Sequence, residues 1–177
     1  MGEKKKVRVP VIRMEQLEEA IYDMTIEEKE MAAAAKAGQF LSLYLDDESR
    51  LLPRPISICG IDKEAGTIRM VFRIAGEGTR QISCLKAGDT IEVLGPLGNG
   101  FFDTEDRVSM VIGGGIGIPP MLGLAKKLHA EGKKVIAVLG YRDARTFLAE
   151  EFESVAEVVI ATEDGRVSTP LRILKKF

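Results

Sequence analysis

"VIGGGIGIPPM" (residues 111–121) decides the fold. An apolar run ends, four glycines fall within five residues, and a double proline opens a helical pattern. Glycine lets backbone N–H groups approach a pyrophosphate with no Cβ in the way, and a helix N-terminus adds unpaired donors. Pro120 suits the first turn of that helix, where a missing N–H costs nothing. The stretch is not G-x-G-x-x-G, and the sequence does not fix which acid, about 20 residues on, would hold a ribose. Glu131 falls at a helix end and Asp143 follows the next strand. Arg142, in "GYRD" (140–143), reads equally as a ribose or phosphate ligand and as a surface arginine.

Working outward, the texture changes near residue 103. After it, Val108–Ile112 reads as a buried strand, Pro119–Ala130 as a helix, Val135–Leu139 as a second buried strand, Phe147–Phe152 as a helix and Val158–Ala161 as a third strand. That alternation predicts a partial, three-strand parallel sheet with helices, the first half of a dinucleotide-binding unit. Before it, short β-type runs at 21–26, 40–45, 68–74 and 90–94 are separated by Gly/Asp turns. They predict a small antiparallel barrel. Glu30–Ala37 has no clear apolar stripe and reads as a loop or single turn. The expected domains are a barrel over 1–103 and an α/β unit over 104–177.

Two stretches of the barrel half carry chemistry. "RPISI" (54–58) sets a fixed cation between prolines that restrict the backbone and remove ladder donors, which suits a barrel edge facing a ligand. "GEGT" (76–79) exposes backbone donors and adds the Thr79 hydroxyl, which can cap a helix or bind a phosphate. Arg54 and that turn can hold one pyrophosphate from two sides. "GPLGNGF" (95–101) reads as an interdomain bend or a ligand-contacting loop.

The remaining composition is bland. The chain has 177 residues, 25 basic and 27 acidic, for a net charge of −2. No global field draws in nucleic acid, and Lys4-Lys5-Lys6 reads as a solvated terminus. The uncharged run Val108–Ala125 is broken by glycines and prolines and sits at the short limit of the ~18–20 residues a membrane span needs. No membrane association is expected, and the location expected is cytoplasmic. Cys59 and Cys84 have no metal-like spacing and read as reduced, partly buried thiols. His129 reads as a solvated or capping residue. No catalytic triad, paired catalytic carboxylates or metal constellation emerges.

In order and spacing, "RPISI", "VFRIAGEGT", "GPLGNGF", "GGGIGIPP" and "ATEDG" resemble the electron-transfer subunit of class 1B dihydroorotate dehydrogenase, in the ferredoxin–NADP reductase superfamily. The likeness runs from about Pro10 to Gly165. It implies an N-terminal antiparallel Greek-key flavin barrel and a C-terminal NAD domain. It carries Arg54, Pro55, Ile56 and Ser57 onto FAD, with Ser57 at the flavin edge. It also carries over Val71, Phe72 and Arg73 as a second flavin segment, and Gly78 and Thr79 as a phosphate turn. Gly113, Gly114, Gly115 and Gly117 would face NAD phosphates.

The implied function is electron passage between NAD(H), FAD and a partner catalytic dihydroorotate dehydrogenase subunit in pyrimidine biosynthesis. Two other readings stay open: the small subunit of an NAD(P)H:ferredoxin or sulfhydrogenase-type complex, and a non-catalytic nucleotide-binding scaffold. The family continues past "ATEDG" to a cysteine cluster holding a [2Fe-2S] centre, which needs four ligands. Two cysteines cannot supply them, so no cluster is expected in this chain. After Gly165 the chain runs "RVSTPLRILKKF"; a truncation, a frameshifted end or a shortened paralogue each accounts for that. Weak NAD(H) binding is expected, with Leu171, Ile173, Leu174 and Phe177 in a short helix over the sheet edge.

Overall fold

The structure is a computed structural model that describes residues 5–46, 52–102 and 105–165. Contacts divide the chain into two compact units, Met1–Phe102 and Asp103–Phe177.

The first unit is a closed antiparallel barrel of six strands. They are β1 (Lys5–Glu18), β2 (Ile21–Glu27), β3 (Phe40–Tyr44), β4 (Arg54–Asp62), β5 (Thr67–Arg73) and β6 (Thr90–Leu97), in the spatial order β1-β2-β5-β4-β3-β6. This is the expected Greek-key arrangement. β1 is a strand that sequence reading passed over. Val9 and Val11 alternate into the core while Arg8 and Arg13 point out. Within the basic start, Lys6 makes a surface ion pair with Glu92 at 2.7 Å and lies over the Tyr44 ring.

Two helices attach to this barrel. The stretch expected as a loop is a short helix, α1 (Lys29–Ala34). It forms because Met31 and Ala32 reach the barrel core and the Glu28 carboxylate accepts from the Met31 N–H. The second, α2 (Glu77–Ser83), rises directly from "GEGT". Core packing rests on Met24, Ile26, Leu41, Leu43, Ile58, Ile68, Met70 and Phe72, all at most 1% exposed.

On the outer barrel surface a carboxylate is fully buried. Asp23 accepts from Arg69 Nε and Nη2 at 3.0 and 2.8 Å and lies 3.3 Å from Arg13. The pairing cross-links β1, β2 and β5.

"GPLGNGF" (95–101) is held within the first unit. Gly95-Pro96-Leu97 belongs to β6, and the remainder is tied to the segment before β3. Phe101 N–H donates to Ala37 O at 2.9 Å and Gln39 Nε2 to Gly98 O at 2.8 Å. Gly38, at φ +87°, lies under Phe101, where a Cβ would fall 2.6 Å from the ring.

The second unit is a three-stranded parallel sheet, as expected: β7 (Val108–Gly114), β8 (Lys134–Tyr141) and β9 (Glu157–Thr162), in that order. A single 3-10 turn at 115–117 leads from β7 into α3 (Ile118–Ala130), and α4 (Ala149–Glu153) precedes β9. Lys126 on α3 pairs with Glu151 on α4 at 2.8 Å. The reading of Val108–Ile112 as a buried strand is corrected. Val111 is buried, but Val108, Met110 and Ile112 are 42%, 47% and 68% exposed. No described helix is long and apolar enough to cross a membrane. The tail helix expected at 171–177 lies outside the described residues.

Candidate functional site: a glycine turn under an arginine

The barrel leaves one stretch of strand half-paired. Arg54, Pro55, Ile56 and Ser57 pair with β3, from Leu43↔Arg54 to Phe40↔Ser57. On their other side the β4–β5 ladder begins only at Ile58↔Met70. Pro55 has no N–H to lose there, so the half-open ladder costs little at that residue. Pro55 and Ser57 are exposed, and Arg54 and Ile56 are half-buried.

Into this region comes the turn that follows β5. The Arg54 guanidinium lies directly over Gly78. A Cβ on that glycine would meet Nε and Nη2, and would fall 2.5 Å from Cζ. Residues 24 apart in sequence are thus in van der Waals contact. Arg54 Nη1 donates to Leu52 O. A delocalised cation laid over a glycine backbone can cradle an anion, since the turn offers amide donors and the arginine offers charge from above.

Thr79 builds the turn from beneath. Its Oγ1 accepts from Ala75 N–H at 2.9 Å and Gly76 N–H at 3.2 Å, and donates to Gly76 O at 3.0 Å. A hydroxyl has one proton and two lone pairs, so this one is fully engaged in the chain's own backbone. Of the two roles expected for Thr79, the geometry favours capping. Thr79→Val should cost about 1–2 kcal/mol of barrel stability, and Thr79→Ser should restore it, both read from chemical denaturation. Unchanged stability with weaker anion binding would instead give the hydroxyl to the ligand.

The stretch Val71-Phe72-Arg73, expected to contact flavin, divides between packing and surface. Phe72 is 1% exposed, belongs to the barrel core and stacks on Tyr22 at 6.0 Å between ring centroids. Its ring is occupied by packing. Val71 is buried on the opposite face of the strand, and Arg73 is exposed where β5 ends.

The α/β unit has a turn of its own. Gly113 faces α3, where a Cβ would sit 3.0 Å from Ile118 Cα, so its role is close packing of helix on strand. Gly114, Gly115 and Gly117 face open space, Gly115 at φ +50°. With α3 starting there, 13 residues long, the turn can receive a pyrophosphate. Glu131 caps the far end of that helix and pairs with Lys127 and Lys133. Asp143 is clasped by Arg145, with Nη2 at 2.6 Å and Nε at 3.0 Å, which holds its carboxyl far below the ordinary range.

The family described as "Oxidoreductase FAD-binding domain" matches residues 9–102, more than half the chain. The chain belongs to this family. The FAD-binding match covers the barrel with both halves of the Arg54–Gly78 cradle. Beyond it, the chain is 44% identical over 161 residues to the dihydroorotate dehydrogenase B (NAD(+)) electron transfer subunit of Streptococcus pneumoniae R6, covering 88% of this chain and 62% of that protein. It is 41% identical over 168 residues to the protein of the same name from Listeria monocytogenes EGD-e, covering 93% of this chain and 66% of that one. The chain therefore spans a little under two thirds of the length of these relatives.

Among solved structures, an NADH-dependent reduced ferredoxin-NADP oxidoreductase matches with a TM-score of 0.82 and 27% identity, over 99% of this chain and 63% of that one. Phthalate dioxygenase reductase matches with a TM-score of 0.76 at 19% identity, over 97% of this chain and 57% of that one, which shows the shared fold. Both matches share the barrel-plus-α/β architecture seen here.

Proposed function

We propose that the barrel holds FAD at the half-paired edge of β4, and that the chain serves as the electron-transfer subunit of a dihydroorotate dehydrogenase complex in pyrimidine biosynthesis. The observation that carries this reading is the Arg54 guanidinium seated on Gly78 beside a strand edge without a β5 partner. Arg54 neutralises the cofactor's pyrophosphate from above and the amides of 77–79 donate from below. Ser57 and the backbone of 71–73 flank the ring system, and Arg73 adds charge at the strand end. Bound flavin supplies the exchange between paired and single electrons; the protein positions it and limits water access.

The α/β unit takes NAD(H) as substrate through Gly114, Gly115 and Gly117. The partner is the catalytic subunit whose complex gives the relatives their name, and the setting is the cytoplasm.

Arg54→Ala should weaken FAD binding by about 1.5–3 kcal/mol, the contribution of a charged hydrogen bond, in an equilibrium flavin titration. Unchanged affinity would remove Arg54 from the site. We also propose that this chain alone carries no [2Fe-2S] cluster, since Cys59 is buried in the barrel, Cys84 is exposed on it, and four ligands are needed. Iron and acid-labile sulfide assays on anaerobically purified protein should find neither. Stoichiometric iron in the monomer would overturn the proposal.

A further inference from the structure

One carboxylate of the barrel is buried yet has no part in the cradle. Asp23 is 0% exposed. It accepts from Arg69 Nε at 3.0 Å and Nη2 at 2.8 Å, and Arg13 Nη1 lies 3.3 Å away. Arg13 is held in turn by Glu15. This cluster therefore joins two cations to two carboxylates and is neutral. Replacing a buried ion pair by apolar side chains is often harmless to stability, so stability alone gives the fold little reason to keep this one.

Its place in the sheet supplies a reason. The β4–β5 ladder stops at Ile58↔Met70, after a register shift between Ile58 and Gly60. Beyond that point β5 runs on with β2 as its ladder partner, through Asp23↔Val71, Tyr22↔Phe72 and Ile21↔Arg73. Asp23 thus stands directly behind Val71-Phe72-Arg73, one strand spacing of about 5 Å away. Arg69 belongs to the last rungs of the β4–β5 ladder, where it faces Gly60, but its guanidinium turns to β2. The Arg69 side chain is 18% exposed against 43% for Arg13, so its charge is the less screened of the two.

We infer that Asp23 tunes the reduction potential of the flavin by offsetting the Arg69 and Arg13 cations behind the strand that flanks it. The inference rests on the reading of the barrel as the FAD site. Asp23 is too deeply buried to touch the ring; it is a positioning residue that holds Arg69 and cancels its charge. A flavin that takes up a hydride gains one negative charge, which an uncancelled cation behind β5 stabilises. With Asp23 in place the neutral cluster neither favours nor opposes that charge.

The test is a reductive titration of the FAD-loaded full chain against a dye of known potential, beside an equilibrium flavin titration. Asp23→Asn keeps the shape and removes the charge. It should favour reduced flavin by about tenfold, which is about 30 mV upward for a two-electron couple. Arg69→Gln removes the opposite charge and should favour oxidised flavin by about fivefold. Arg13→Gln should act in the same direction as Arg69→Gln but less, because its side chain is more exposed. Opposite shifts from opposite charges are what general loosening of the barrel does not produce. Potentials of Asp23→Asn and Arg69→Gln within about twofold of wild type, or shifted the same way, overturn the inference while the FAD reading stands. Should Asp23→Asn not retain FAD, Arg69→Gln decides, and an unmoved or raised potential there overturns the inference. A wild-type chain that binds no FAD overturns the FAD reading itself, and the inference with it.

Discussion

Gly78→Ala should lower FAD affinity by about 100-fold or more, roughly 3 kcal/mol, while leaving the barrel folded. The added methyl would occupy the space of Nε, Nη2 and Cζ of Arg54. Those atoms are the far end of a flexible side chain, so the arginine swings away and the backbone stays. Gly78 lies within the first turn of α2, and alanine there favours a helix by up to about 1 kcal/mol over glycine. Stability should therefore hold or rise as ligand affinity falls, an opposition that general damage to the fold does not produce. The double variant Gly78→Ala/Arg54→Ala should bind FAD little worse than Gly78→Ala alone, since both changes remove the same cation. Additive losses in that cycle, or Gly78→Ala with native affinity, would show that the guanidinium and the glycine act apart.

Phe72→Ala should cost the barrel about 3–5 kcal/mol, the usual loss for a large aromatic removed from a packed core. The ring is 1% exposed and stacks on Tyr22, so its absence leaves a cavity in the core of the barrel. Phe72→Leu keeps most of the volume and should cost about 1–1.5 kcal/mol with FAD affinity unchanged. Urea denaturation followed by near-ultraviolet circular dichroism reads the stabilities, and flavin titration reads the affinity. A tenfold affinity loss in a stable Phe72→Leu variant would return the ring to the cofactor.

These two residues show what was legible in the sequence. Glycine beside a lone hydroxyl and a proline-flanked arginine both point to an anion, and the structure brings Gly78 and Arg54 into contact. Phe72 is different because "VFR" as a string does not say which of its side chains points inward. The alternation is fixed by the ladder with β2, where Phe72 stands opposite Tyr22, and that pairing is non-local. β1 escaped notice for a similar reason. Its valines alternate correctly, but lysines, arginines and Pro10 mask them, and its burial depends on closure against both β2 and β6. The strands bounded by Gly/Asp turns were legible because those residues act locally. Thr79 was legible as a turn residue, and its full engagement with backbone is a matter of coordinates.

The uneven covering of β7 has a practical side for anyone dividing this chain in half. Val108, Met110 and Ile112 stand in a row on a strand that has no described neighbour on its outer edge. A bare apolar strand edge invites a second molecule to add its own strand, and the growth need not stop at two. A fragment beginning near residue 103 should be prone to precipitate. The barrel fragment closes on itself, with its unpaired ladder confined to residues 54–57 of β4, and should stay in solution. Replacing Met110 or Ile112 with lysine would place a gatekeeper charge in that row and make the α/β half tractable by itself.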